Sequence, residues 1–169
     1  QKRTRCEAAT RKTGRSGPLG FVTLRHEYWQ DGSLCLTEWQ DLVYREEAGP
    51  DTPRSTPPAA PADHTHSEAV ACNPTMLFRY SALTFNGHRI HYDLPYAREV
   101  EGYDGLVVHG PLLAQLLILM AQRQLGALSA FSFRATAPLM DFEAATLCMN
   151  GTDMWVRAPD GRQCMTAKA

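Results

Sequence analysis

The segment from Pro111 to Leu125 limits the architecture more than any other part of this chain of 169 residues. Leu112, Leu113, Leu116, Leu117, Ile118, Leu119 and Met120 leave only Gln115, Gln122, Arg123 and Gln124 as polar breaks. Proline is welcome in the first turn of a helix and Gly126 stands where one would stop, so the segment reads as a helix of roughly 20 Å. Apolar groups surround most of its circumference, and such a helix must be wrapped on several sides. The run Leu112 to Ala121, with Gln115 inside it, is too short for the roughly 20 apolar residues a membrane span requires. A soluble protein with no membrane partner is therefore expected.

What can do the wrapping follows the helix. From Leu128 to Ala169 the sequence is strand-like and punctuated by Asn150-Gly151 and Asp160-Gly161, both favourable hairpin turns. The predicted class is α+β, an antiparallel sheet curled around one central helix. Earlier in the chain, Leu19–Tyr28 and Leu34–Tyr44 read as a β-hairpin about Asp31-Gly32, with Trp29 and Trp39 in cross-strand packing roles. Pro50, Pro53, Pro57, Pro58 and Pro61 then mark residues 49–75 as a linker, in which His64 and His66 are expected to be solvated. Met76–Thr84 reads as a strand, Phe85–Val100 as an irregular segment with a short helical turn, and Gly105–Val108 as a brief extended run.

Composition removes several function classes. A hydrophobic fraction of 44% with 21% charged residues is ordinary for a globular chain. The net charge is −1 and the basic residues form no block, so no nucleic-acid partner is expected. Cys6, Cys35, Cys72, Cys148 and Cys164 are odd in number and form no C-x-x-C pair, which argues against a disulfide scaffold or zinc ribbon and for a reducing compartment. Gln1 at the start and the lack of a signal-peptide pattern suggest a fragment or a processed product.

Two short segments carry chemistry. Asn86, His88 and His91 cluster just after the expected strand, with Arg89 among them and Gly87 expected to supply an unusual backbone conformation. Imidazole both takes and gives a proton near neutral pH, so His91 is a candidate general acid/base. Structural histidines bonded to loop carbonyls are the plain alternative. Val108-His109-Gly110-Pro111 shifts the balance, because it sets unpaired backbone N–H groups at the start of a buried helix, where a developing negative charge is favoured. A proton carrier beside an oxyanion site is what chemistry at the α,β bond of a thioester requires. No nucleophile elbow, phosphate loop or H-E-x-x-H motif is present.

On these residues the chain resembles the MaoC-like hydratases and dehydratases of the hot-dog fold, whose loop signature D-x-N-P-[LI]-H precedes an H-G that opens the central helix. Asn86-Gly87-His88-Arg89-Ile90-His91 takes the place of that signature, with Asn86 where the family has aspartate. The variant Thr84-Phe85-Asn86-Gly87-His88-Arg89-Ile90-His91-Tyr92-Asp93, with Glu101 through Pro111, is most similar to the hydroxyacyl-thioester dehydratase type 2 and mesaconyl-C4-CoA (3-methylfumaryl-CoA) hydratase group.

The resemblance implies a hydro-lyase acting on CoA- or carrier-bound acyl thioesters in fatty acid metabolism, with no cofactor and no metal. It makes His91, Asn86 and the Gly110 amide the catalytic set, with His88, Arg89, Val108 and His109 binding substrate. An amide cannot be a base, so Asn86 would orient water while His91 alone titrates. The resemblance also makes residues 1–48 the closing strands of a first hot-dog domain whose helix is missing, and 76–169 the catalytic hot-dog domain. An uncovered apolar sheet face follows, as does a homodimer or pairing with another hot-dog domain. A cytoplasmic location is expected, or a mitochondrial one in a eukaryote. The same fold also suits a non-catalytic acyl-binding or oligomerisation module, or a thioesterase.

Overall fold

A computed structural model describes residues 1–14, 17–46 and 56–169. The chain divides into two compact units, Gln1–Arg54 and Ser55–Ala169.

The first unit is a three-stranded antiparallel sheet in the order β1-β2-β3, with β1 Lys2–Gly14, β2 Gly17–Gln30 and β3 Ser33–Arg45. The expected hairpin is β2-β3, turning at Asp31 and Gly32 with positive φ at both. Trp29 lies opposite Leu34 and Trp39 opposite Arg25, each indole also carrying an arginine over its ring (Arg3 and Arg25), which is cross-strand packing. The one buried polar side chain described here, His26, is held across the sheet by Thr4 Oγ1 at 2.8 Å and Gln40 Oε1 at 3.2 Å. On β3, Leu36, Trp39, Val43 and Tyr44 are each more than half exposed.

The second unit holds a five-stranded antiparallel sheet in the order β4-β6-β7-β8-β5. Its strands are β4 His66–Ala71, β5 Ser132–Ala135, β6 Ala144–Asn150, β7 Asp153–Arg157 and β8 Gln163–Lys168. Three helices accompany it: α1 Pro74–Thr84, α2 Leu94–Glu99 and α3 Gly110–Leu125. Helix α3 is the expected central helix, with proline in its first turn and Gly126 (φ 85°) ending it. Leu113, Leu117 and Met120 of α3 pack into one core with Leu147 and Met149 of β6, Met154 and Val156 of β7, and Met165 of β8. This is the hot-dog arrangement. Its far face is less enclosed than the apolar count suggests, since Leu119 and Leu125 are exposed. Both predicted turns are present: Gly151 follows β6, and Gly161 lies between β7 and β8.

Three expectations are corrected. Met76–Thr84 is helical, not extended: Asn73 caps α1 by accepting a hydrogen bond from the Met76 N–H at 2.9 Å, and Pro74 fits the first turn. Only Leu77 and Ser81, one turn apart, are buried along it. Second, the expected linker ends early. Residues 49–55 of it lie outside the described residues, but His66–Ala71 forms β4, an edge strand paired only with β6 and lying beyond Pro61. Third, the left-handed residue in the histidine loop is Phe85 (φ 54°), while Gly87 has no positive φ. The five cysteines are free thiols, with Cys72, Cys148 and Cys164 buried.

Candidate active site

The histidine loop is built by the end of α1. Phe85 takes the left-handed conformation that closes the helix, its N–H donating to Ala82 O, and the Asn86 N–H reaches back to Ser81 O at 2.9 Å. Asn86 Oδ1 then accepts from the His88 N–H at 3.0 Å, a local turn that asparagine favours. A 3-10 turn over Arg89–His91 follows, and the Tyr92 hydroxyl ties it down by donating to Gly87 O at 2.8 Å. Asp93 caps α2 through the Tyr96 N–H and also receives the Arg89 guanidinium, with contacts of 3.0 and 2.7 Å. That pairing holds the Asp93 carboxyl below its ordinary pKa, and it turns Arg89 over the Tyr96 ring at 4.2 Å.

Across from the loop runs Leu106–Val108, fixed on both sides. The Val107 N–H donates to Ile90 O and the Val108 N–H to Leu139 O, while Leu106 exchanges two bonds with Asp141, one to its backbone and one to its side chain. This segment presents the Val107 carbonyl to His91 Nδ1 at 2.7 Å. A carbonyl only accepts, so His91 carries its proton on Nδ1 and, when neutral, offers a lone pair at Nε2. His91 is buried, and burial is the main reason its pKa lies below the ordinary histidine value, with the nearby His88 adding to the shift and the Val107 bond opposing it.

The same segment delivers His109 to the head of α3. Its ring is 1% exposed and stacks on His91 with centroids 3.7 Å apart and planes 17° from parallel. Its Nε2 meets Ser81 Oγ at 2.8 Å, Tyr80 packs edge-on at 4.8 Å, and Nδ1 is buried without a partner. Burial and the neighbouring His91 push the His109 pKa down to about 4. Next comes Gly110, half-buried, where a Cβ would meet nothing within 4 Å. Its N–H belongs to the first turn of α3, which has no acceptor within the helix.

The structure therefore gathers His88, His91 and His109 into one cluster, with His88 edge-on to His91 at 5.6 Å. Asn86 joins through the His88 backbone, its side-chain oxygen being engaged there and not with the His91 ring. Arg89 points to Asp93, and Val108 contributes a buried side chain and a backbone already bonded to Leu139. A cleft of about 310 Å³ opens beside Asn86, lined by Phe78, Ser81, Ala82, Phe85, Gly87 and Tyr92. Ser81 and Val107 were not among the residues expected from sequence. Ser81 becomes visible once residues 74–84 are read as a helix, because it is then the polar member of the buried stripe. Among the described residues no three His, Cys, Asp or Glu side chains gather as a metal site, and no helix is long and apolar enough to cross a membrane.

Comparison with known proteins gives a consistent picture. The family described as hydroxyacyl-thioester dehydratase type 2 matches residues 2–141. The chain is 48% identical over 164 residues to the mesaconyl-C(4)-CoA hydratase of Chloroflexus aurantiacus, covering 94% of this chain and 58% of that protein. It is 34% identical over 140 residues to the mitochondrial hydroxyacyl-thioester dehydratase type 2 of Schizosaccharomyces pombe, covering 78% of this chain and 45% of the relative. The chain thus spans about half the length of these curated relatives. Among solved structures, HtdX from Mycobacterium tuberculosis shares the fold over 99% of this chain and 66% of its own, with a TM-score of 0.67 at 18% identity.

Proposed function

The chain belongs to the hydroxyacyl-thioester dehydratase type 2 family, and from that premise we propose that it catalyses the reversible hydration of an α,β-unsaturated acyl thioester to the 3-hydroxyacyl thioester. The observation that carries the reading is the bond from His91 Nδ1–H to Val107 O. It leaves Nε2 as a single proton-transfer atom on a buried ring whose lowered pKa keeps it neutral near pH 7.

In the hydration direction Nε2 takes a proton from water as the water oxygen bonds to the substrate β-carbon. The electron pair of the double bond moves to the thioester oxygen, giving an enolate held by the Gly110 N–H and the positive end of α3. His91 then returns its proton to the α-carbon, the thioester carbonyl re-forms, and the imidazole is neutral again. Dehydration runs these steps backwards. One titrating group serves both transfers, because the Asn86 amide can orient the water but cannot ionise. With its oxygen engaged by the His88 N–H, the Asn86 side chain offers its NH2 group to that water.

Phe78, Phe85 and Tyr92 give the cleft beside Asn86 an apolar wall suited to an acyl group. Exposed His88 and Arg89 lie on the outer side of the loop, where the pantetheine arm common to CoA and acyl carrier protein would approach, and Val108 and His109 supply the backbone that leads into the oxyanion position. No cofactor enters this chemistry. Completion of the site by a second hot-dog domain, from another copy or a partner, fits the apolar residues that α1 and its cap leave exposed, Phe78, Leu83 and Phe85. The location would be cytoplasmic, or mitochondrial as for the fission-yeast relative.

Crotonyl-CoA and mesaconyl-C4-CoA are the test substrates, with enoyl absorbance and free thiol followed in parallel. Loss of enoyl absorbance without thiol release is the expected result. Thiol release alone would replace the hydratase reading with a thioesterase, and stabilisation by acyl-CoA with neither reaction would replace it with a binding module.

A further inference from the structure

Among the described residues of the second unit, three polar side chains are buried, Ser81, His91 and His109, and all three are in one chain of contacts. Buried polar groups are costly unless they are satisfied or serve a purpose. His91 has a purpose in the proposed reaction, whereas Ser81 and His109 have none assigned to them beyond the backbone of the latter.

A serine bonded to a histidine suggests a nucleophile with its base, but the geometry opposes it. The far nitrogen of His109, Nδ1, has no partner to orient the ring or to share a positive charge. To take a proton from Ser81 through Nε2, His109 would have to hold its own proton on the unpartnered, buried Nδ1 and would become a cation stacked on His91 with nothing to balance its charge. The pair is better suited to hold something than to react.

What it can hold is the plane of the His91 ring. The hydrogen bond to Val107 O fixes one atom of that imidazole and leaves the ring free to tilt or turn about it. A second ring lying flat at 3.7 Å removes that freedom, provided it is itself fixed, and the Ser81 hydroxyl fixes it from α1. We propose that Ser81 and His109 are positioning residues, a buried clamp in which the Ser81 hydroxyl anchors the His109 ring and that ring holds His91 with Nδ1 on Val107 and Nε2 toward the substrate. The inference rests on the reading of His91 as proton carrier, and it ties α1 to the chemistry through Ser81, which lies outside the loop motif that begins at Thr84.

The test combines ring nitrogen-15 NMR of the free full chain with hydration kinetics on Ser81→Ala, His109→Ala and His109→Phe. In the unaltered protein His91 should show one neutral tautomer, with the proton on Nδ1. Ser81→Ala and His109→Ala should each mix the tautomers and lower kcat roughly 10- to 100-fold, the scale of a misplaced catalytic group, with KM changed less than about twofold. His109→Phe keeps a flat ring and should retain more kcat than His109→Ala, which also preserves a folded variant if the alanine leaves too large a hole. An unchanged His91 tautomer and unchanged kcat in Ser81→Ala would overturn the clamp, as would a His109→Phe protein no more active than a folded His109→Ala protein, or a rise in KM alone. If the unaltered chain hydrates no thioester, the reading of His91 fails, while the tautomer measurement still decides whether the clamp exists.

Discussion

Gly105→Ala probes how the site is held in place from outside the catalytic residues. A Cβ at Gly105 would lie 2.7 Å from Asp141 Oδ1 and 2.7 and 2.9 Å from two carbons of the Phe142 ring. These are shorter than van der Waals contact, so both neighbours must move. Phe142 is 63% exposed and can swing outward at little cost. Asp141 cannot move freely, because its Oδ1 accepts the Leu106 N–H at 2.9 Å. Displacing it costs the bond and leaves a buried donor, about 1–3 kcal/mol together. The stiffer unfolded chain returns about 0.4–1 kcal/mol. The net expectation is a loss of about 1–2 kcal/mol, read as a lower urea midpoint at constant slope, together with faster hydrogen exchange at the Leu106 amide. Asp141→Ala removes both the acceptor and the clash, so the double variant should be little worse than Asp141→Ala alone. A Gly105→Ala protein within about 0.5 kcal/mol of the original with Leu106 still protected, or fully additive losses in the double variant, would refute this account of the Leu106–Val108 segment.

The catalytic readings have their own tests. His91→Ala should abolish hydration, whereas Asn86→Ala should leave a measurable remnant, since only an orienting amide is lost; equal and complete losses would give Asn86 a larger role. Because His91 acts as a base when neutral and burial lowers its pKa, kcat/KM for hydration should fall as pH drops through a value below 6.5 and be flat from there to neutrality; an acid limb centred above 6.5 would contradict it. His109 gives a stability signal of the same sign. Its pKa is about 4 in the folded chain against the ordinary histidine value of 6.5, so the unfolded state binds the extra proton between these values and stability is lost as pH falls across that window. The loss is roughly 3 kcal/mol when fully developed, and His109→Phe should remove that part of the slope in urea titrations at stepped pH.

How much of this was legible in the sequence depends on how far apart the interacting residues are. Helix α3 announces itself because its signals are local: Pro111, Gly126 and a run of leucines. The β2-β3 hairpin and the turns at Gly151 and Gly161 are legible for the same reason. Helix α1 reads as a strand because its apolar residues mark neither period cleanly, most of them being exposed, while the informative residues are its cap and first position, Asn73 and Pro74, ahead of the apolar run. Strand β4 was hidden beside the prolines, and only its pairing with β6, far along the chain, makes it a strand. The site divides in the same way. His91 and Gly110 stand out by type and by their place before a helix, but what orients His91 comes from Val107, 16 residues on, and what anchors His109 comes from Ser81, 28 residues back. A loop motif therefore names the proton carrier without fixing its direction. Two relatives with the same histidine loop but different residues at the position of Ser81 should consequently differ in turnover more than in substrate affinity, because the difference acts on the angle of an imidazole and leaves the groups facing the substrate unchanged.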